Sequence, residues 1–473
     1  MIGKETPSDW DPETGKVEWD TNVVPFPLKE MHSGQLRIAE RFVGAYSHRL
    51  LFVHGIGWHT WCGTHWIEDR DGEARRAVVA LLKDLRHESV DLGKDEQKRL
   101  LSDVAKCESS GGVTGVLELA RFMHPMTVSA ESTNAQAELF NARNGTLNLE
   151  TGELRRHDPA DMITKCAGAV IDPRATSELW ASFLETALPD VQVRAYLARV
   201  FGVAMLGRVR EHILPILTGT GGNGKGVCVD TVRAAFGDYG IAVDPKLIMR
   251  TKQERHATFL ADLHGARLVV TSETNEGEVL AAATVKRLTG GDSIRANRMR
   301  ENTFEFEPSH TLIYMTNHTP QVSADDKAMW RRLSVVPFDV VVARPDVKLP
   351  EKLKKHLPAV LAWAYRGWLD YVKQGLNPPA VVLERTEAYR TDSDPLAQFV
   401  TDECVLSPMV NVRAKALHEA YATWAMRNGL PPMTATEFGK RIGERFEKKP
   451  TSRGNQYIGV ALRADEEEAG GML

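Results

Sequence analysis

The sequence predicts an α/β protein built around a mainly parallel β-sheet, and two observations support this fold class. The first is an apolar run, ILPILTG (213–219), which is followed by a glycine-rich loop and then by a helical segment. The second is the recurrence of short apolar runs at 266–273, 310–317 and 333–340. Strands that alternate with helices favour a parallel sheet, because parallel neighbours need a crossover connection.

The composition is that of a globular protein. The chain has 473 residues, of which 42% are hydrophobic and 26% charged, and this length is enough for about three domains. Its five scattered cysteines form no C-x-x-C pair, so we expect a reducing cytoplasm. We expect no membrane association, because no apolar stretch approaches the ~20 residues of a membrane span. The N-terminus also has no signal-peptide pattern.

Two regions are predicted before the first apolar run. Residues 1–35 are polar and acidic and contain prolines, which indicates a flexible tail. Residues 36–199 combine helical patterns with a tryptophan-rich segment of short strands. They also contain a hairpin unit with turn signals at Asn144-Gly145 and Thr151-Gly152. We therefore expect an N-terminal α+β domain.

The rest of the chain divides into four predicted regions. Residues 200–345 hold the strand–loop–helix and the other apolar runs, and form the predicted core. Residues 346–395 read as a helical connector, and residues 396–463 as helices followed by a hairpin around Arg453-Gly454. Residues 464–473, ADEEEAGGML, are expected to be a disordered acidic tail.

The loop GTGGNGKG (219–226) closely matches a phosphate-binding loop, G-x-x-x-x-G-K-[ST]. Between a strand and a helix, such a loop directs backbone N–H groups at phosphate, and the lysine reaches the β- and γ-phosphates of ATP. Gly226 stands where a serine or threonine hydroxyl normally binds Mg²⁺. A glycine-rich turn without ligand is the alternative. The predicted nucleotide-binding residues are Gly219, Thr220, Gly221, Gly222, Asn223, Gly224, Lys225, Gly226 and Val227.

Hydrolysis also needs an acid near Mg²⁺ and a group that orients the attacking water. Glu273 ends the second apolar run, about 50 residues after the loop, and is the predicted metal-binding acid. Glu276 and Glu278 lie close by and keep that assignment open. Asn317 ends the third run and is predicted to orient water or sense the γ-phosphate, although asparagine is also a common turn residue.

Arg331 and Arg332 precede the last apolar run. An arginine supplied by a neighbouring subunit can stabilise the transition-state charge of phosphoryl transfer. The sequence does not distinguish which of the two has this role, and a basic surface pair is the alternative.

These motifs together resemble those of the superfamily 3 helicases, above all the helicase part of phage and plasmid primase–helicases and of the poxvirus primase–helicase. GTGGNGKG, RLVVTSE, KRLTGGDSIRANRM, TNHTP and WRRLSVVPF occur in that family's order and spacing. The resemblance is strong over roughly residues 200–340 and extends over nearly the full length.

The resemblance implies an AAA+ ATPase core that forms a hexameric ring and uses ATP and Mg²⁺. Lys225 would be the Walker A lysine, Glu273 the Walker B acid and Asn317 sensor 1, with Arg331 or Arg332 acting in trans. Residues 396–463 would form a winged-helix domain. No carboxylate-bearing primase motif is found in residues 36–200, so we expect a separate primase as a partner.

Two basic segments are predicted to bind single-stranded and forked DNA. One is the basic run 286–300 with a predicted hairpin over 292–308, which in a ring would line the pore and contact backbone phosphate. An ordinary surface hairpin is the alternative. The other is a helix and hairpin between 434 and 462. The predicted DNA contacts are Lys286, Arg295, Arg298, Arg300, Lys440, Arg441, Lys448 and Lys449.

The function predicted from these residues is an ATP-dependent DNA helicase that translocates on single-stranded DNA in phage or mobile-element replication. The alternatives are a replication initiator or loader that binds ATP without processive unwinding, and a ring that binds nucleotide only structurally. His59, Cys62 and His65 could suggest zinc, but their spacing is not that of paired ligand knuckles, and the interleaved tryptophans favour a packed hairpin.

Overall fold

Five parallel strands form the central sheet of the computed structural model, as the alternating pattern predicts. The structure describes residues 32–250, 258–272, 278–298, 303–322, 326–430, 432–452 and 454–463. It divides into two compact units, which comprise the described parts of Met1–Phe52 with Asp69–Thr127, and of Val53–Glu68 with Val128–Leu473. Residues 1–31 of the predicted tail 1–35 and the whole predicted tail 464–473 lie outside the described residues.

The first unit is mainly helical. Its helices carry apolar residues at helical spacing, and Ile38, Phe42, Val78 and Val104 are fully buried. Ser109 begins the last of these helices, since its side chain accepts from the Gly112 backbone N–H. The helices are α1 (Gln35–Tyr46), α2 (Glu73–Glu88), α3 (Lys94–Cys107) and α4 (Ser110–Ala120). Strand β1 (Leu50–Val53) ends this unit's first segment.

The second unit begins with short antiparallel strands. β2 (Gly57–Trp61) pairs with β3 (Trp66–Glu68), and the unit resumes at β4 (Thr127–Val128). β5 (Leu139–Ala142), β6 (Gly145–Asn148) and β7 (Leu154–Arg155) form the hairpin unit that the two turn signals predict. Helices α5 (Glu178–Ala187) and α6 (Val191–Val203) follow.

The parallel sheet has the strand order β14–β8–β13–β10–β9. Its strands are β8 (Leu214–Thr218), β9 (Gly240–Val243), β10 (Leu268–Ser272), β13 (Thr311–Thr316) and β14 (Leu333–Pro337). The helix α7 (Lys225–Phe236) follows β8 and ends at Gly237, whose φ of 58° suits glycine. The apolar runs at 213–219, 266–273, 310–317 and 333–340 are thus confirmed as strands, whereas β9 was not predicted.

Smaller elements surround this sheet. The predicted hairpin is confirmed as β11 (Ile294–Ala296) paired antiparallel with β12 (Phe304–Phe306). The helices are α8 (Thr258–Ala261), α9 (Ala282–Leu288), α10 (Lys327–Trp330), α11 (Leu349–Leu353), α12 (Leu357–Gln374) and α13 (Ala380–Asp392). α6 and α12 pack so closely that a Cβ at Gly367 would meet the Ala198 carbonyl oxygen at 1.9 Å.

The C-terminal module, residues 395–463, has its own apolar core, which includes Phe399, Leu417 and Phe438. Its elements run α–β–α–α–β–β, and its antiparallel sheet has the order β15–β17–β16. The elements are α14 (Pro395–Glu403), β15 (Cys404–Arg413), α15 (Ala414–Arg427), α16 (Ala435–Gly443), β16 (Lys448–Thr451) and β17 (Gly454–Leu462).

Candidate functional site

The carboxyl ends of β8 and β13 bring two predicted site segments together. The strands are adjacent and parallel, with Thr218 paired with Thr316 at their last positions. The loops that follow them therefore leave the same edge of the sheet. In open α/β sheets, ligands bind outside the carboxyl ends of the strands. We call this side the carboxyl edge.

Lys225 and Asn317 meet at the carboxyl edge, although 92 residues separate them along the chain. The Lys225 Nζ lies 3.0 Å from the Asn317 Oδ1 and also donates to the carbonyl of Gly219. The lysine is 7% exposed. A buried ammonium group is tolerated when several acceptors surround it, and this loop supplies them. The structure thus brings together two residues that the sequence assigns to one nucleotide site.

Asn223 connects the loop to the end of β14. Its side chain is 2% exposed, and its Nδ2 donates to the Phe338 carbonyl over 2.7 Å. The Phe338 N–H in turn donates to the Thr218 carbonyl over 2.8 Å. Gly219 must be glycine here, since its φ is 143° and a Cβ would meet the Phe338 oxygen at 2.1 Å. Sequence reasoning assigned Asn223 to phosphate binding and missed this structural role.

The outer part of the loop faces solvent. Thr220, Gly221, Gly222 and Gly226 are exposed, and Val227 is half-buried. Gly226 is the second residue of α7, where the first backbone N–H groups have no intrahelical acceptor. A Cβ at Gly226 would meet nothing within 4 Å. The helix start is therefore open to an anion, and position 226 has room for a larger side chain.

The predicted metal-binding acid, Glu273, lies outside the described residues, as does Glu276. β10 ends at Ser272, which is exposed and pairs with Met315 of β13. The assignment of Glu273 stays a prediction.

Arg331 and Arg332 lie at the opposite side of the sheet, the amino edge, because they directly precede β14. The Arg332 guanidinium donates to the Ala328 carbonyl over 2.8 Å, whereas the Arg331 side chain is exposed. β14 has five residues, so about 16 Å of strand separates the two edges. Neither arginine can reach the Lys225 loop of its own chain.

The amino edge also contains buried ionisable groups that sequence reasoning missed. Arg267, before β10, is 2% exposed and donates to the carbonyls of Met205 and Leu139. His264, in the turn before β10, and His310, directly before β13, are buried, and burial lowers the pKa of each to about 4. The sequence could have indicated these buried groups, because each is a charged or polar residue within or beside an apolar segment.

The four predicted contacts of the first basic segment differ in their surroundings. Arg295 on β11 is exposed. Lys286 Nζ lies 2.7 Å from Asp326 Oδ2, and Arg298 lies 2.6 Å from Glu68 Oε1. Arg300 lies outside the described residues. The structure thus brings two of these cations against carboxylates.

The basic residues of the C-terminal module are more open. Lys440 on α16 and Lys448 and Lys449 on β16 are exposed, while Arg441 pairs with Glu437 one turn away over 3.0 Å. Thr434 begins α16, since its hydroxyl accepts from the Glu437 N–H.

His65 contacts side chains from two segments of the chain. Its Nδ1 lies 3.3 Å from Cys62 Sγ, and its Nε2 lies 3.3 Å from Asp238, whose pKa this contact lowers. Within the described ranges, no group of three or more His, Cys, Asp or Glu side chains has a geometry that could hold a metal. Likewise, none of the helices described here is long and apolar enough to cross a membrane.

The fold and this edge define an α/β protein with a parallel sheet whose polar loop residues meet at the strand ends. Three family models match the chain. "D5 N terminal like" covers residues 39–189, a family of unknown function (DUF5906) covers 217–332, and "Poxvirus D5 protein-like" covers 391–462. The chain thus carries D5-type domains on both sides of the sheet-forming region, and the predicted resemblance to the poxvirus protein is confirmed.

Similar curated sequences include proteins of several viruses. The chain is 26% identical to "Putative helicase L207/L206" of Acanthamoeba polyphaga mimivirus, over 56% of this chain and 30% of the relative. It is 23% identical to "Putative helicase 184R" of Invertebrate iridescent virus 6, over 69% and 38%. It is 23% identical to "Putative primase C962R" of African swine fever virus, over 66% and 36%. The matches thus span about a third of each relative's length.

Among solved structures, the chain resembles the C-terminal region of NrS-1 in its apo A form. The TM-score is 0.52 at 10% identity, and the match covers 91% of this chain and all of the other. At this identity the likeness concerns the fold alone.

Proposed function

We propose that this chain is an ATP-dependent DNA helicase of the superfamily 3 type, a hexameric AAA+ ring that moves along single-stranded DNA. The observation that carries the proposal is the contact between Lys225 and Asn317 at the start of α7. The relatives named as helicases and primases support a role in DNA replication. We place that role in phage or mobile-element replication, in the cytoplasm of a bacterial host and with a separate primase.

In the proposed mechanism, the ATP phosphates bind at the exposed loop and the N-terminus of α7. Backbone N–H groups there are unpaired within the helix, and the helix dipole favours negative charge. Lys225 would exchange its contact with the Gly219 carbonyl for phosphate oxygens. Asn317, already 3.0 Å from that ammonium group, would then lie beside the γ-phosphate and orient water.

The residues around the phosphates fit Mg²⁺ only in part. Bound Mg²⁺ would neutralise charge that develops on the phosphates, and Glu273 would hold it. Gly226 offers no side-chain oxygen, so water would take that position, which is consistent with the small number of protein ligands that Mg²⁺ usually has. The exposed surface around Gly226 leaves room for such a water.

The proposed ring follows from the position of the arginines. Arg331 is exposed at the amino edge, far from its own loop, so it can reach ATP only on a neighbouring copy. A ring in which each amino edge faces the next carboxyl edge satisfies this requirement. We therefore propose Arg331, rather than Arg332, as the trans-acting arginine.

DNA would be contacted by two regions. Arg295 on the β11–β12 hairpin would face the pore, and the C-terminal module would act as a winged helix with α16 and the β16–β17 hairpin. The element order of that module and the exposure of Lys440, Lys448 and Lys449 support this role.

Phosphate release and strand displacement test the proposal together. Wild-type protein is expected to release phosphate from ATP in a Mg²⁺- and DNA-dependent manner, and to separate a forked duplex. Lys225→Ala should lower phosphate release at least about 100-fold, because charge on the phosphates would be left uncompensated. Lys246→Ala, which changes an exposed lysine after β9, is the matched control. Equal rates for wild type and Lys225→Ala would refute hydrolysis, and hydrolysis without displacement would favour the initiator or loader.

A further inference from the structure

Two ion pairs flank β11 of the β11–β12 hairpin, one on each side of the strand, and add to the packing of the buried Phe304 and Phe306 against His264. Before it, Lys286 on α9 contacts Asp326. After it, Arg298 contacts Glu68 at the end of β3. Both carboxylates belong to segments far away in sequence, 40 and 230 residues from their partners.

These pairs are more sheltered than an ordinary surface ion pair. The side chains of Lys286 and Asp326 are 33% and 22% exposed, and those of Arg298 and Glu68 are 30% and 29% exposed. The contact distances of 2.7 and 2.6 Å are those of charge-assisted hydrogen bonds. A cation held in this way contributes little to the binding of a DNA phosphate, because its charge is already compensated by the carboxylate.

The first pair also reaches the candidate trans-acting arginine. Asp326 begins α10, since its Oδ1 accepts from the Met329 N–H over 3.0 Å while its Oδ2 binds Lys286. α10 ends at Trp330, directly before Arg331. Burial acts to raise the pKa of Asp326, but the Lys286 contact and the backbone N–H groups outweigh it and lower that pKa. The carboxylate therefore stays charged at neutral pH.

We propose that Lys286 and Arg298 are positioning residues that hold the hairpin, whereas Arg295 is the described hairpin residue that contacts DNA. This inference rests on the proposed DNA-binding function of the hairpin. It reassigns two of the DNA contacts predicted from sequence. It also makes the Lys286–Asp326 pair the mechanical connection between the hairpin and Arg331, so that movement of one is transmitted to the other.

Neutralising the acid separates the two roles, because they predict changes of opposite sign. If Arg298 binds phosphate, Glu68→Gln releases it, so affinity for single-stranded DNA and the salt dependence of binding both rise. If Arg298 positions the hairpin, Glu68→Gln lowers affinity several-fold without a steeper salt dependence. Arg295→Ala serves as the comparison. It should reduce the slope of log K against log salt by about 0.7, the value for one phosphate contact on a single strand.

Lys286 is tested through ATP hydrolysis. Asp326→Asn should reduce the stimulation of hydrolysis by DNA at least about tenfold and leave the rate without DNA within about twofold, since only the connection is weakened.

Arg298→Lys keeps the charge pair and should restore most of the affinity that Arg298→Met loses. An increase in affinity for Glu68→Gln, or unchanged stimulation for Asp326→Asn, would overturn the corresponding assignment.

Hydrogen exchange distinguishes failure of this inference from failure of the proposed function. Without DNA, Glu68→Gln and Arg298→Met should speed exchange at the amides of β11 and β12, and Arg295→Ala should not. If wild-type protein does not bind single-stranded DNA, the proposed function fails while this measurement still reports on the ion pairs. Unchanged exchange in both variants would contradict the positioning role.

Discussion

The two edges of the parallel sheet use polar residues in different ways. At the carboxyl edge, Lys225 and Asn317 contact each other beside a loop that is largely open to solvent. At the amino edge, Arg267, His264 and His310 are buried. The carboxyl edge is thus polar and open to solvent, whereas the amino edge is packed.

Arg331 is the exception that gives this difference a functional meaning. It lies at the packed amino edge but is exposed, whereas its neighbour Arg332 binds the Ala328 carbonyl. In the proposed ring, the exposed Arg331 on the amino edge of one chain would face the carboxyl edge of the next chain. In the proposed ring, the sheet would therefore separate the ATP-binding loop from the arginine that would complete hydrolysis in the next subunit.

Loss of Arg331 should have the largest effect. Arg331→Ala is expected to lower kcat for ATP hydrolysis by about 10³-fold, the lower end of what a trans-acting arginine contributes, while ATP affinity stays unchanged. Steady-state hydrolysis and nucleotide binding would be measured on the same preparation. Arg332→Ala, which removes only the contact with Ala328, should retain most of the activity.

A mixing experiment shows whether Arg331 acts between chains. Arg331→Ala and Lys225→Ala should each be nearly inactive alone. In an equimolar mixture, an intact loop from one variant can meet an intact arginine from the other, so part of the activity should return. No recovery in rings shown to contain both variants would mean that the amino edge does not act in trans.

Loss of Asn317 should have a smaller effect, because in the proposed mechanism it orients the attacking water and does not neutralise charge. Asn317→Ala is expected to lower kcat by about 10²-fold, comparable with loss of one positioned hydrogen-bonding group. ATP affinity should change less than threefold. Thr319→Ala, which alters an exposed residue of the same loop, is the control. If Asn317→Ala weakened binding and left kcat intact, Asn317 would belong to binding rather than to hydrolysis.

Gly226 offers a gain-of-function test at the open edge. Because a Cβ there meets nothing within 4 Å, Gly226→Ser should fold normally. The new hydroxyl is expected to lower the Mg²⁺ concentration for half-maximal hydrolysis several-fold. Gly226→Ala matches the gain in helix propensity without the oxygen, and should leave the Mg²⁺ requirement unchanged. Equal Mg²⁺ requirements for the serine and alanine variants would show that this hydroxyl is dispensable here.

The sequence predicted the carboxyl edge better than the amino edge, for a physical reason. Strands β8, β10, β13 and β14 and the positions of Lys225 and Asn317 follow from local patterns, because apolar runs and glycine-rich loops are read from neighbouring residues. The contact of Asn223 with Phe338 spans 115 residues and leaves no local pattern. The contacts of Arg267 with its carbonyl partners, and those of Lys286 and Arg298 with their carboxylates, also leave no local pattern. The sequence shows that a residue is cationic, but it does not show which carboxylate or carbonyl group that residue contacts.

Acid should destabilise the folded chain through the buried histidines of the amino edge. Burial lowers the pKa of both His264 and His310 to about 4, below the ordinary value near 6.5. Between these values the unfolded chain binds protons that the folded chain does not, so stability is complete above pH 6.5 and falls toward pH 4. Each histidine should contribute a slope of about 1.4 kcal/mol per pH unit.

Chemical denaturation at pH 7.5, 6 and 5 would measure this slope. His264→Gln should remove about half of the histidine contribution, because a neutral amide does not titrate, and it should also cost some stability at pH 7.5. His212→Gln changes an exposed histidine and should leave the slope intact. If His264→Gln and His212→Gln had the same pH dependence as wild type, His264 would not be a buried neutral group. The contrast between a packed amino edge and an open carboxyl edge would then lose one of its supports.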